Sequence, residues 1–255
     1  MTSQAPPSPP QIFAQARRTA ARMRAAAARS NPEAAPFVLE AMAEDVLDRL
    51  SFIRFEPQRA LVIGDWASVL APALAQAGAI VIQREPGDFD EEAPLADGPF
   101  DLIVSLQVLD TVNDLPGALI HARHALSPGG LLMASFLGVG SLPALRGAMM
   151  AADGDRPAAR IHPQIDTRAG AALLQRAGFS RQVADSNIIR ASYRSLRHLV
   201  RDLRWQGLTS MLRSRAPSIT RAGLKRAEAA FLSSADDQGR VTEIFEIVTL
   251  TGWRD

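Results

Sequence analysis

Apolar positions along the chain alternate between helical and strand spacing. Phe37, Val38, Met42, Val46, Leu47 and Leu50 fall on one face of a helix over Pro36–Leu50. Ala60–Ile63 is a short apolar run that reads as a buried strand, and Val69–Ala77 as a helix. Ala79–Ile82 and Phe100–Ser105 give two more strands. Asn113-Asp114-Leu115-Pro116 opens a helix toward Leu126, its acidic first turn suiting the helix dipole. Ser127-Pro128-Gly129-Gly130 reads as a stop and turn before an apolar strand at Leu131–Phe136. Ser141–Met150 and the capped segment Asp166–Ala177, closed by Gly178, read as helices. A strand at Gln182–Arg190, Arg-rich helices at 194–208 and 220–233, and an alternating strand at Val241–Gly252 complete the order. Strands interleaved with helices predict an α/β sheet covered by helices on both faces.

Composition narrows this picture. The chain has 255 residues, 47% hydrophobic and 22% charged, as an ordinary globular chain does. A net charge of +1 argues against a dedicated nucleic-acid binder. Cysteine is absent, which excludes disulfides and thiolate chemistry and fits a reducing cytoplasm. The four histidines are too scattered to suggest a metal site. No apolar run approaches the roughly 18 residues of a membrane span.

The expected organisation is a leader over residues 1–35, a domain over 36–255, and an inserted helical lid at 194–233. The leader's start, MTSQAPPSPP, is proline-rich and expected to be disordered. Arg17, Arg18, Arg22, Arg24 and Arg29 follow, with no acid before Glu33. That run suits a transit-type or membrane-surface helix, or a solvated leader helix lying on the domain; the solvated reading is preferred.

The turn after the first strand is Gly64-Asp65-Trp66-Ala67-Ser68. In folds that bind dinucleotides or S-adenosylmethionine (SAM), this turn carries several glycines. Missing Cβ atoms let the backbone approach the ligand and adopt positive φ. Gly64 survives here, while Trp66 and Ser68 stand at the next two glycine positions. A non-glycine residue at positive φ costs on the order of 1 kcal/mol, and the Trp66 indole adds bulk.

Three segments carry a family resemblance: FDLIVS, VNDLPGAL and ALSPGGLLMASF. With their spacing, the chain from about Ile12 to Trp253 resembles the class I SAM-dependent methyltransferases. RIHPQID and RDLRWQG further resemble one branch, which holds the arginine-hydroxylating assembly factor of respiratory complex I and neighbours the malonyl-carrier-protein methyltransferase of biotin synthesis. The resemblance implies a Rossmann-like methyltransferase sheet of six or seven strands with a helical C-terminal lid, SAM as cofactor, and a complex I subunit as partner.

A second departure from the family is a deletion. About 18 residues separate strand 79–82 from Asp101, too few for a helix, a strand and their turns, so one βα unit is expected to be missing. By the resemblance, Gly64, Asp65, Trp66, Glu85, Ser105 and Leu106 would contact the cofactor, with Glu85 facing the ribose and Gln107 flanking the donor end. Asp90, Glu91 and Glu92 would cap the adenine amino group or form a solvated acidic loop. Arg146, His162, Asp202, Arg204 and Trp205 would line the substrate side, with turn-forming and ion-pair roles as alternatives.

Methyl transfer from SAM rests on positioning, so no catalytic side chain is expected to be obligatory. Two readings stay open: a SAM-dependent methyltransferase or hydroxylase of the complex I assembly type, and a pseudoenzyme that keeps the fold as a binding or assembly module without SAM. Another adenine nucleotide is disfavoured, because no P-loop or lysine serves its phosphates.

Overall fold

The computed structural model describes residues 10–85 and 87–255. The disorder expected of the proline-rich start, residues 1–10, lies outside the described residues except for Pro10. Eight helices and six strands are described: α1 (Gln15–Ala28), α2 (Phe37–Ile53), β1 (Arg59–Ile63), α3 (Leu70–Gln76), β2 (Ile80–Arg84), β3 (Phe100–Leu106), α4 (Leu115–Ala125), β4 (Leu126–Leu137), α5 (Pro143–Asp153), α6 (Thr167–Arg176), β5 (Ser180–Tyr193), α7 (Leu196–Trp205), α8 (Arg221–Leu232) and β6 (Val241–Trp253). A single 3-10 turn, Leu109–Thr111, follows β3.

The strands form one six-stranded sheet in the order β2-β1-β3-β4-β6-β5. β2, β1, β3 and β4 run parallel, whereas β6 is antiparallel to both β4 and β5. The central strands are buried on both faces, which explains why ALVI and LIVSL read as unbroken apolar runs. β6 alternates at its start because only its later half lies deep in the sheet. The expected loss of a βα unit is seen in the connection from β2 to β3, where the described residues between Arg84 and Phe100 form no helix or strand, and β2 is the sheet edge.

Two apolar layers sandwich the sheet. One packs α2, α3, α5, α7 and α8 against it around Met42, Leu70, Leu199, Phe231 and Phe245. The other packs α4 and α6 around Leu119, Phe136, Leu174 and Phe179. Helix starts are marked by side-chain caps: Asp114 accepts from Gly117 N, Asp166 from Ala169 N, Ser195 from His198 N and Thr220 from Gly223 N.

β4 begins earlier than its sequence suggests. Leu126 pairs with Phe100, and the Pro-Gly-Gly stretch is held by Gly129 N donating to Arg254 O and Arg254 N to Gly130 O.

The leader departs from the solvated reading. α1 turns Ala21, Ala25 and Ala28 into the molecule, together with Arg18 and Arg22. Arg18 donates to both oxygens of Glu91, at 3.1 and 2.9 Å, and Arg22 donates to Glu91 Oε1 at 3.2 Å. The preceding backbone is tied by Ile12 N and Phe13 N to Asn113 Oδ1. Two of the leader's five arginines are therefore interior groups, both paired with one carboxylate, Glu91, from the shortened β2–β3 connection.

Candidate functional site

The C-terminal ends of β1 and β3 converge on the Gly64–Ser68 loop. Gly64 has a φ of +82°, and a Cβ there would come within 2.5 Å of Leu106 O and 2.8 Å of Val108 Cγ2. Glycine is obligatory at this position both for conformation and for space. Ser68 does take a positive φ, at 56°, but Trp66 does not. Strain of the kind expected for both residues falls on Ser68 alone.

Trp66 acts through bulk. Its indole is 8% exposed. It lies 3.1 Å from the position of a Gly64 Cβ and 3.1 Å from that of a Gly207 Cβ. It therefore bridges the tip of β1 and the end of α7.

Two of the loop's amides are engaged within the loop itself. Trp66 N donates to Gly64 O at 2.9 Å and Ser68 N to Asp65 O at 3.0 Å. Asp65 is buried, and its carboxylate accepts from Val69 N at 3.2 Å and Ala71 N at 2.8 Å. A ligand anchored at a helix N-terminus needs those donors. With the indole against Gly64 and the amides of Trp66, Ser68, Val69 and Ala71 engaged, the loop residues do not fit SAM in this arrangement.

The other residues expected at the cofactor are scattered in role. Glu85 follows β2 with its carboxylate 3.9 Å from Arg29, and partial burial raises its pKa against the pull of that arginine. Ser105 and Leu106 end β3. The Ser105 hydroxyl is buried without a partner, and Leu106 presents only its carbonyl to Gly64. Gln107 is engaged on both ends of its amide, donating to Asp110 Oδ2 and accepting from Leu137 N. Glu91 is the counterion of Arg18 and Arg22 instead of an adenine cap. Glu92 accepts from Asn113 N at 2.5 Å, and Asp90 accepts from Glu92 N.

The five substrate-side residues do not converge. His162 lines a cavity of about 160 Å³ that also takes in Gln107, Thr111, Leu142, Gln164 and Leu208. Arg146 donates to Ser141 O and to Gln164 Oε1, tying two loops beside that cavity. Asp202 lies 4.0 Å from Arg201, and its pKa is raised by burial. Arg204 lines an outer groove, and Trp205 lies between that groove and a second cavity of about 210 Å³ lined by Trp66, Ala67 and Ser68. Residues two apart on a helix point to different sides, so Asp202 and Arg204 could not share a site.

Asp110 was not singled out in the sequence, although an acid in the apolar run after the central strand is a signal. It is fully buried in the 3-10 turn, where desolvation pushes its pKa up to about 6 against the pull of Arg18 and Arg22. His162 Nε2 lies 3.8 Å away, and burial, aided by Arg146, lowers its pKa to about 4. Buried polar atoms without partners gather in this part of the molecule among the described residues: Arg22 Nε and Nη2, Trp66 Nε1, Ser105 Oγ, Asp110 Oδ1, His162 Nδ1 and Gln206 Nε2.

A parallel sheet joined to an antiparallel β5–β6 pair, helices on both faces and a loop with an obligatory glycine after β1 define a Rossmann-like methyltransferase fold. The sequence model of the family described as "Methyltransferase domain" matches residues 26–182, and the chain belongs to that family. It is 29% identical over 170 residues to the mitochondrial arginine-hydroxylase NDUFAF5 of Mus musculus, covering 65% of this chain and 50% of that protein. It is 33% identical over 163 residues to the malonyl-[acyl-carrier protein] O-methyltransferase of Xylella fastidiosa, covering 63% of this chain and 54% of the relative.

The chain thus spans about half the length of these curated relatives. A candidate methyltransferase of Bacillus halodurans superposes with a TM-score of 0.51 at 13% identity, over 82% of this chain and 98% of that one. At that identity the likeness is one of fold.

These matches correct the expectation of a cytoplasmic location, since the arginine-hydroxylase relatives are mitochondrial. That expectation rested on the lack of cysteine, which does not distinguish one reducing compartment from another. Among the described residues, no helix is long and apolar enough to cross a membrane.

Proposed function

We propose that this chain is a methyltransferase-fold binding or assembly module in which Trp66 stands in the place of the cofactor, so that SAM turnover is not its activity. The observation that carries this reading is the indole closing the Gly64 cradle against Gly207 while Asp65 takes up the α3 amides. The partner chemistry follows the branch resemblance, a subunit of respiratory complex I.

A second reading, a SAM-dependent enzyme modifying a protein arginine, is favoured by the unpartnered polar atoms at the ends of β1 and β3, which a polar ligand would satisfy. Glu85, which follows β2 and is the nearest candidate for a ribose acid, also supports it.

Titration calorimetry with SAM and S-adenosylhomocysteine separates the two. The module reading expects no heat of binding at about micromolar affinity. Micromolar binding to the unaltered chain overturns it. Trp66→Gly combined with Ser68→Gly is expected to raise affinity; a variant that folds and still shows no gain means the missing βα unit, not the indole, is the obstruction.

A further inference from the structure

Helices α1, α7 and α8 enclose an outer groove of about 1320 Å³ that shares no residue with the Gly64–Ser68 loop. Its floor is apolar, formed by Met149, Leu196, Val200, Ile219 and Leu224. Its walls are cationic: Arg24, Arg197, Arg201 and Arg204 line it, against one carboxylate, Glu228. Arg201 stacks over the Trp205 ring at 4.5 Å and is 3.5 Å from Glu33. Among the described residues, Arg24, Arg197 and Arg204 have no acidic partner within ion-pair distance. The arrangement follows from α7, whose Leu196, Leu199 and Leu203 are buried and whose arginines are thereby turned outward.

We infer that this groove docks an acidic, amphipathic helical segment of a partner protein, with apolar side chains on the floor and carboxylates on the arginines. An apolar floor between charged walls is the geometry of helix-in-groove recognition, and the excess of arginine selects the sign of the ligand. Arginine also suits carboxylates because its planar fork binds them bidentately.

A membrane surface fits less well. The floor is recessed between helices, α1 spends its own apolar face on the interior, and two of its arginines are paired inside. Residues 1–9 contain no Asp or Glu, so they offer the groove no complementary charge.

The test uses the full chain and a fluorescein-labelled helical peptide with paired leucines on one face and glutamates beside them. Anisotropy is expected to show binding about tenfold or more tighter than that of the Gln-for-Glu analogue, weakening as NaCl rises from about 50 to about 300 mM. Arg197→Glu with Arg204→Glu is expected to weaken binding by at least about tenfold, with an unchanged melting temperature showing that the fold survives. Arg197→Gln with Arg204→Gln gives a milder loss and serves if the reversal misfolds.

Equal affinity for the two peptides, or no binding of either, overturns the inference. So does binding to vesicles containing phosphatidylglycerol, but not to phosphatidylcholine vesicles or to the peptide, since the site would then be a lipid surface. A dimer in sedimentation that the double reversal dissolves overturns it in favour of a second copy. The outcome does not depend on whether SAM binds.

Discussion

Replacing Glu91 with glutamine leaves its size nearly unchanged and removes its charge. Arg18 and Arg22 are 3% and 6% exposed, and Glu91 receives three guanidinium hydrogen bonds between 2.9 and 3.2 Å. With Glu91 in place, burial and the nearby Arg18 lower the Arg22 pKa to about 10 against the pull of Glu91, so removing that carboxylate leaves the buried guanidinium without its main counterion. Asp110 supplies the remaining nearby negative charge, and its own pKa is pushed up to about 6. Breaking a buried ion pair from one side costs about 3–5 kcal/mol. For a domain of this size each kcal/mol moves the melting temperature by about 2–4 °C, giving a fall of roughly 6–20 °C. Calorimetric melting and urea titration both read this. Replacing all three residues, Arg18→Met, Arg22→Met and Glu91→Leu, is expected to restore most of the loss, because the uncompensated charges go with the pair. A Glu91→Gln loss below about 1 kcal/mol would refute the argument, since that is the range of solvated surface pairs.

Two further perturbations test the loop and the buried acid. Gly64→Ala adds a Cβ within 2.5 Å of Leu106 O at a φ of +82° and is expected to destabilise by about 2–4 kcal/mol in urea unfolding; a neutral result means the β1–α3 turn can move aside. Asp110 and His162 give opposing pH dependences. Asp110 titrates at about 6 folded against 3.8 unfolded, so the native state holds the extra proton and stability falls as pH rises through that window. His162 titrates at about 4 folded against 6.5 unfolded, so the unfolded state holds it and stability rises with pH there. Asp110→Asn is expected to leave a rising profile across the acid range and His162→Gln a falling one, read from urea midpoints; parallel profiles would show that neither group titrates as placed.

The sheet was legible because its central strands are buried on both faces and so appear as unbroken apolar runs. Capping residues such as Asp166 marked helix starts within a residue or two. The pattern did not carry strand direction, so the antiparallel β5 and β6 had to be seen.

At the site, the Gly64–Ser68 turn and the shortened β2–β3 connection could be read because both are local. The pairing of Arg18 and Arg22 with Glu91 could not. Each is a charged residue in a segment where charges are usually solvated, and only the fold brings them together. The scatter of the substrate-side residues has the same cause: His162, Arg146 and Arg204 are close in kind but lie on different walls.

The Arg18–Glu91 contact spans 73 residues of chain. A ribosome adding about 5–20 residues per second needs roughly 4–15 s to make that stretch. During that interval the leader has emerged without the carboxylate that will draw it inward. Order of synthesis thus sets a clock on the N-terminal helix: its arginines face outward first and inward only after residue 91 arrives. Ribosome-bound chains halted before that residue should yield their leader to protease, and chains halted well past it should keep it.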